Sequence, residues 1–199
     1  MYHLRKVIVI TVAALMAFNA NAALIEADFY TEAHYPDLDF IDAPVVHRVQ
    51  NQTIKAEGYE LTGDHRIAND TGLRGGELWL DYDPASHVLT LDSQDRWDFQ
   101  TLNVDIQNMR FSDDQQLQSF ELLANDLFEQ ALDPTLAFSA NSLRVEFDAR
   151  PSSFKFSGGQ AQFQLGMKTF SVPEPGTLGL MVLGIGAAFG SRCLRRQRV

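Results

Sequence analysis

Apolar residues are concentrated in two dense runs near the ends of the chain, at residues 7–18 and 178–189. Between these runs, apolar and polar residues alternate in short stretches separated by Gly, Pro, Asp or Ser. Alternation with a period of two is typical of β-strands that bury one face. The pattern therefore predicts three regions, which are a leader at 1–22, a β-rich domain at 23–171 and a tail at 172–199.

The clearest alternation lies at residues 77–83, where Leu78, Leu80 and Tyr82 fall on one face. A Pro-Ala-Ser sequence follows, and this composition is typical of a turn. Alternation then resumes at residues 87–92. Two such runs joined by a short turn predict an antiparallel hairpin.

Further alternating stretches predict the rest of the sheet structure. They lie at residues 102–106, with an extension to Phe111, at 142–148, and at 154–156 and 161–165 on either side of Gly158-Gly159. The glycine pair predicts a second hairpin. Residues 45–50 and 53–61 are further strand candidates, and the acidic, aromatic stretch at 23–44 is either a loose arm or an edge strand. We therefore expect a mainly β fold, namely an antiparallel β-sandwich of jelly-roll type.

One segment of the central region has a helical rather than an alternating pattern. Apolar residues recur there at spacings of three and four, at Leu117, Phe120, Ala124, Leu127 and Ala131. An Asp pair precedes the segment and an Asp-Pro pair follows it, as expected at the start and end of a helix. The spacing predicts one helix over residues 115–132. The alternative is another strand through Phe120 and Leu122.

The N-terminal region has the three parts of a secretory signal peptide in order. Arg5 and Lys6 precede the apolar run at residues 7–18, and an A-x-A site follows at Ala20 and Ala22. This arrangement predicts export through the Sec translocon and cleavage before Ala23. The alternative is an uncleaved membrane anchor, although twelve apolar residues are short for a membrane span.

The C-terminal region combines an extended motif, an apolar segment and a cationic end. Pro173, Glu174 and Pro175 form the motif, and prolines two residues apart exclude a helix or a central strand. Residues 177–190 carry no charge and would span roughly 21 Å as a helix, less than a hydrocarbon core of about 30 Å. The chain ends in a cluster of arginines: Arg192, Arg195, Arg196 and Arg198. By the positive-inside rule, this cluster is expected to stay in the cytoplasm.

These features in this order resemble the PEP-CTERM sorting domain, the recognition signal of exosortase systems in Gram-negative bacteria. The resemblance covers residues 172–199 only. It implies that exosortase, a membrane-embedded cysteine protease, cuts near the Pro-Glu-Pro motif after a transient stay in the inner membrane. It also implies a link to exopolysaccharide or biofilm and a final location at the cell surface or in the extracellular matrix. A permanent anchor would share the apolar helix and the arginines but would leave the Pro-Glu-Pro motif unexplained.

The charge of the central region restricts its partners. Six of the 16 Lys and Arg residues and one of the 26 Asp and Glu residues lie in the two terminal regions. The central region therefore keeps 10 basic and 25 acidic residues, a net charge of −15. Such a surface repels nucleic acid, so we expect no nucleic-acid partner. The single cysteine, Cys193, lies in the tail, so the domain can form no disulfide.

The central region contains no recognisable catalytic motif. Its histidines do not stand at metalloprotease spacing, and it has neither a G-x-S-x-G sequence nor a phosphate-binding glycine loop. We therefore predict a protein that is not an enzyme and has no cofactor. Calcium is the alternative cofactor, with Asp81 and Asp83 as its candidate ligands beside Asp92 and Asp95.

Two tryptophans are the candidates for contact with sugar rings. The apolar faces of Trp79 and Trp97 could stack on a polysaccharide, although packing is the alternative role for Trp79. Two function classes therefore stay open. The first is a non-enzymatic surface or matrix protein, and the second is a secreted polysaccharide-binding module or hydrolase that uses two carboxylates.

Overall fold

The computed structural model describes residues 23–36, 44–67, 75–112 and 115–169. The predicted signal peptide and sorting tail lie outside these residues. The chain divides into two units, Met1–Lys168 and Thr169–Val199. Within the described ranges the strands are β1 (Leu24–His34), β2 (Val45–Thr53), β3 (Arg66–Ile67), β4 (Leu78–Asp83), β5 (Val88–Ser93), β6 (Asp98–Phe99), β7 (Thr101–Phe111), β8 (Gln115–Asn125), β9 (Thr135–Ser139), β10 (Ser142–Asp148), β11 (Phe154–Lys155) and β12 (Gln160–Thr169).

The larger sheet has six strands in the order β3-β2-β1-β7-β10-β9. Its pairings are antiparallel, and β1 lies in the interior of the sheet between β2 and β7. The expectation of a loose arm or an edge strand at residues 23–44 was therefore wrong for its first half. Ala27, Phe29, Thr31 and Ala33 alternate inward along β1 and are almost fully buried. This inward row makes β1 an interior strand despite the acids between its buried residues.

The smaller sheets are a four-stranded one, β4-β5-β12-β8, and a two-stranded one, β11-β6. The predicted hairpin at residues 77–92 is confirmed as β4 and β5, and Leu78, Leu80 and Tyr82 are buried on one face. The second predicted hairpin was wrong. β11 pairs with β6 and β12 pairs with β5, so the chain changes sheets at Gly158-Gly159 instead of folding back on itself. A glycine pair permits either path, and the choice depends on distant partners.

The predicted helix at residues 115–132 was also wrong, because most of this segment forms β8. Gln115 and Leu117 are buried while Gln116 and Gln118 are exposed, which is strand alternation. Ala124, which the helical spacing placed on the apolar face, is exposed. β8 lies at the edge of the four-stranded sheet beside β12, where ladder hydrogen bonds override the local spacing. The alternative, a strand through Phe120 and Leu122, is confirmed.

One buried hydrophobic cluster draws residues from both larger sheets. Phe29, Val104 and Leu143 come from the six-stranded sheet, and Leu91 and Phe163 come from the four-stranded sheet. A mainly antiparallel β fold is thus confirmed. Within the described ranges, no helix is both long and apolar enough to cross a membrane.

Candidate functional site

A row of charged and aromatic side chains crosses the six-stranded sheet on the face opposite its buried residues. The strand register pairs Arg48 of β2 with Tyr30 of β1, Tyr30 with Asp105 of β7, and Asp105 with Arg144 of β10. Ala137 of β9 continues the row beyond Arg144. Side chains that are directly opposite on neighbouring strands lie close enough to interact. The row therefore alternates Arg, Tyr, Asp and Arg over four adjacent strands.

Two hollows lie along this row. One has a volume of about 240 Å³ and is lined by residues that include Asp28, Tyr30, Arg48 and Gln50. The other, of about 380 Å³, is lined by residues that include Asn108, Phe138, Ser139, Asn141 and Arg144. Both hollows also share Asp105 and Gln107. We call the two adjoining hollows the transverse groove, because they follow one another across the strands.

Local irregularities in the strands shape one end of the groove. The pairing of β1 shifts register around Asp28, against both β2 and β7. The Asp28 carboxylate accepts hydrogen bonds from the Asn51 backbone N–H at 2.6 Å and from Asn108 Nδ2 at 2.7 Å. Asn51 and Asn108 have φ angles of 51° and 53°, a region that asparagine tolerates better than most residues. Asp28 thus joins the irregular positions of three neighbouring strands.

A second hydrogen-bonded group lies on β1. The Tyr30 hydroxyl donates to one oxygen of Glu32, and His34 Nε2 lies 2.6 Å from the other. The hydrogen bond from Tyr30 is the main reason that the pKa of Glu32 lies below its usual value. Burial, followed by the bond to Glu32, raises the pKa of Tyr30 to about 12. Glu32 is therefore ionised and Tyr30 protonated at neutral pH, which holds the tyrosine ring in place.

Asp105 lines both hollows, at the centre of the groove, and is held by fewer contacts than Glu32. Burial raises its pKa, and the nearby Arg144 guanidinium opposes this effect. Arg144 Nε lies 3.3 Å from Asp105 Oδ1, and the Arg144 side chain is about half exposed. Beside this pair in β7, Asn103 Oδ1 is buried and has no hydrogen-bond partner. Asp105 and Arg144 therefore keep donor and acceptor capacity that faces the groove.

The side chains of the groove combine several kinds of polar group. Carboxylate, guanidinium and amide groups offer paired donors and acceptors. Tyr30 adds a partly exposed aromatic ring. Asp28 and Asp105 are the carboxylates that line the hollows, and both oxygens of Asp28 are occupied.

The two predicted tryptophans do not line the groove. Trp79 lies on the outer face of β4, donates from Nε1 to Glu77 Oε1 at 2.7 Å, and meets the Tyr59 ring edge-on at 4.9 Å. Trp97 is 41% exposed and packs edge-on against Tyr35. A Cβ on Gly75 would lie only 2.5 Å from the indole of Trp97, so this ring covers backbone. Both indoles therefore make internal contacts on part of their surface.

Three of the four acids considered for calcium are engaged in separate local interactions. The fourth, Asp81, lies on the outer face of β4 opposite Thr90. Asp83 caps the β4–β5 turn by accepting from the Ala85 N–H and the Ser86 hydroxyl. Asp92 accepts from the Tyr59 hydroxyl at 2.8 Å, and Asp95 accepts from the Glu77 and Trp97 backbone N–H groups. In the part of the chain that the structure describes, no group of three or more His, Cys, Asp or Glu residues is arranged to hold a metal ion.

The sequence reasoning missed the residues of the groove. Tyr30 and Asp28 fell in a stretch that had been assigned to an arm or an edge strand, although Ala27, Phe29, Thr31 and Ala33 alternate there. That alternation was a signal that could have placed Tyr30 on an outer face. No comparable signal joined Asp105 to Arg144, since their proximity depends on the pairing of β7 with β10.

Comparison with known families gives a match at the C-terminal end of the chain. Residues 171–197 match the model of the PEP-CTERM protein-sorting motif. The chain carries a PEP-CTERM sorting motif. This motif indicates an exported protein that transits a membrane and is processed by exosortase. No curated protein and no solved structure shows significant similarity to the chain.

The PEP-CTERM match contains most of the predicted sorting residues. Pro173, Glu174 and Pro175 lie inside the matched stretch, as do three of the four arginines, and Arg198 lies just beyond it. The matched residues lie outside the described ranges, as do Ala20 and Ala22 of the predicted cleavage site, and Ala23 is the first described residue.

Proposed function

We propose that this chain is a non-enzymatic protein of the cell surface or extracellular matrix that associates with exopolysaccharide in a biofilm. The observation that carries the proposal is the match of residues 171–197 to the PEP-CTERM protein-sorting motif. A protein that is sorted in this way ends up outside the cell, where hydrated polymers are abundant.

The terminal sequences support a two-step maturation. Signal peptidase would cut before Ala23 after export through the Sec translocon. The apolar segment at 177–190 would then pause in the inner membrane as a short helix, with the arginine cluster retained in the cytoplasm. Exosortase would release the domain by cutting near Pro173-Glu174-Pro175, where an extended chain is accessible.

The architecture supports a stable extracellular domain without disulfides. Two antiparallel sheets contribute to one buried cluster, as in the antiparallel sandwich of jelly-roll type that we propose. A core of this kind suffices for a domain of about 150 residues.

A hydrolase is the second candidate function, and one observation favours it. Asp105 and Glu32 lie on neighbouring strands, and their pKa values are displaced in opposite directions, upward for Asp105 and downward for Glu32. Glycosidases use carboxylate pairs whose pKa values differ in this way. Glu32, however, lines neither hollow of the transverse groove, and its oxygens are bonded to Tyr30 and His34. This geometry favours binding over hydrolysis.

Mass spectrometry of cell fractions tests the sorting proposal. We expect the secreted or surface form to begin at Ala23 and to end near Pro173, and the form from an exosortase-deficient strain to keep its tail. The double variant Pro173→Ala/Pro175→Ala should also keep its tail, whereas the control Pro84→Ala, in the β4–β5 turn, should be processed normally. An intact C-terminus in cells with active exosortase would contradict the proposal.

Incubation with matrix polysaccharide separates the two candidate functions. A non-enzymatic protein releases no new reducing ends over prolonged incubation. Release of reducing ends that is lost in both Asp105→Asn and Glu32→Gln would instead establish the hydrolase.

A further inference from the structure

We propose that the transverse groove is the binding site for a segment of an uncharged polysaccharide, which lies across the strands of the six-stranded sheet. This inference rests on the proposed function for the presence of such polymers and goes further by naming the site and the class of sugar.

The shape of the site suits a chain rather than a single sugar. The groove extends from Arg48 of β2 to Ala137 of β9, and thus crosses five adjacent strands. Four inter-strand spacings amount to about 19 Å. The hollows share Asp105 and Gln107, so one extended ligand can occupy both.

Tyr30 supplies the aromatic surface on which a sugar ring can pack. Its ring is partly exposed on the outer face, between Arg48 and Asp105 in the strand register, and its hydroxyl is held by Glu32. A partly exposed aromatic ring beside polar groups offers a face on which the C–H groups of a sugar can pack. Arg48, Gln50 and Gln107 line the same hollow, so hydroxyl groups at the rim of that sugar would find partners.

The polar groups of the groove match neighbouring hydroxyls. Gln50 and Gln107 carry amides with both donors and acceptors, and Asp105 accepts while Arg48 and Arg144 donate through planar groups. Hydrogen bonds from neutral hydroxyls to charged groups are stronger than those between neutral groups. The site therefore gains binding energy without needing charge on the ligand.

The balance of charge selects the class of polymer. The charged residues that line the groove are two acids, Asp28 and Asp105, and two bases, Arg48 and Arg144. The groove is thus neutral within a domain of net charge −15. A polyanion is repelled by the rest of the surface, and a polycation is attracted to that surface rather than to the groove. An uncharged polymer is therefore the class that should bind in the groove rather than elsewhere on the surface.

Isothermal titration with three oligosaccharides tests the inference. The full-length chain is kept in a polyoxyethylene detergent, which contains no sugar, and is titrated with cellohexaose, a galacturonic acid hexamer and a chitosan hexamer. We expect cellohexaose to bind most tightly, with an affinity that changes little between low and high salt. Tighter binding of either charged oligomer, or no binding by any of the three, would overturn the inference.

Variants locate the binding on the groove. Tyr30→Ala and Asp105→Asn should each weaken cellohexaose binding by about tenfold, since each removes a contact of about 1.4 kcal/mol. Leu123→Ala is the matched control, because Leu123 is 54% exposed on β8 and lines neither hollow. Urea unfolding verifies that all three variants fold. Equal affinities for the groove variants and the control would overturn the inference.

This experiment separates the two proposals. The titration uses purified protein and does not depend on processing, so its failure leaves the sorting proposal intact. Conversely, an unprocessed tail in cells does not alter the affinity measured for the groove.

Discussion

The outer faces of the two larger sheets contain similar residue types but arrange them differently. On the four-stranded sheet, Trp79, Asp92 and Gln160 form one row and Asp81, Thr90 and Gln162 form the next. On the six-stranded sheet, the corresponding row places Arg48 and Arg144 on either side of Tyr30 and Asp105. Both faces therefore combine aromatic rings with carboxylates, but only the row on the six-stranded sheet also contains arginines.

The difference lies in where the polar groups find their partners. On the four-stranded face, the Trp79 indole donates to Glu77 and the Tyr59 hydroxyl donates to Asp92, so the aromatic residues are bonded to neighbouring acids. On the six-stranded face Tyr30 is likewise bonded to Glu32, but Asp105 and Arg144, which contact each other, also line open hollows. An aromatic and acidic composition alone is thus a poor guide to a binding surface, because hydrogen bonds within the protein can occupy the polar groups of those side chains.

The largest expected losses of stability come from core substitutions. These losses should be similar for the two sheets, because both sheets contribute to one core. Leu91→Ala in β5 and Leu143→Ala in β10 should each lower the free energy of unfolding by about 2–5 kcal/mol. Their outward neighbours, Thr90→Ala and Ser142→Ala, should each cost less than about 1 kcal/mol. Urea unfolding measures all four. A core substitution that destabilises no more than its neighbour would show that its sheet lies outside the shared core.

A buried histidine in the six-stranded sheet and a buried glutamate beside the four-stranded sheet should make stability depend on pH in opposite directions. Burial lowers the pKa of His47, on β2, from 6.5 to about 4, and the Arg66 charge adds to this effect while Glu77 opposes it. Between these values the unfolded chain binds more protons. Stability should therefore fall by about 3 kcal/mol as the pH falls from about 6.5 to about 4.

Glu60 is buried against β4, where it accepts the Tyr82 backbone N–H at 2.8 Å. Burial raises its pKa from 4.5 to about 7 although the backbone hydrogen bonds oppose this. Here the folded chain binds more protons, so stability should fall by about 3 kcal/mol as the pH rises from about 4.5 to about 7.

The two residues should therefore largely cancel between pH 4.5 and 6.5. We expect the wild type to have a nearly flat profile there, Glu60→Gln to gain stability as the pH rises, and His47→Gln to lose it. Thermal unfolding across this range measures the profiles. The double variant is the control and should be flat again, whereas wild-type profiles in both single variants would refute the assignment.

The smallest expected effects are changes in the pKa of tyrosines on the two outer faces. The pKa of Tyr59 is raised to about 12 mainly by its hydrogen bond to Asp92, whereas that of Tyr30 is raised to about 12 mainly by burial. Asp92→Asn should therefore lower the pKa of Tyr59 more than Glu32→Gln lowers that of Tyr30. NMR titration of ring-labelled tyrosine measures both values.

Asp81→Asn is the control for the tyrosine comparison. Asp81 has a smaller, purely electrostatic influence on Tyr59, so its replacement should shift the pKa of Tyr59 only slightly. If Glu32→Gln produced the larger shift, the outer face of the six-stranded sheet would be the one in which hydrogen bonding dominates.

Local alternation was enough to predict several strands. The runs at 77–83, 102–111 and 142–148 were found in the sequence because their apolar residues repeat every two positions, and a strand with one buried face requires that pattern. Failure came where local signals were ambiguous. The spacing of Leu117, Phe120 and Ala124 also fits a helix, and Gly158-Gly159 permits both a hairpin and a change of sheet.

The candidate site was harder to predict than the strands. Asp105 and Arg144 are 39 positions apart and become neighbours only when β7 pairs with β10. Trp79 and Trp97 were chosen for their chemistry, but a sequence does not show whether an indole is already bonded to Glu77 or packed over Gly75. Exposure and free hydrogen-bonding capacity are properties of the packed molecule.

By itself, the sequence determined the sorting motif and the mainly β character of the domain. A sorting motif is a short, contiguous signal, so its information is complete in the order of its residues. The tertiary structure alone decided that β1 is an interior strand, that residues 115–125 are extended, and that side chains from five strands form one groove. These outcomes depend on which distant strands exchange hydrogen bonds, and no local pattern specifies that choice.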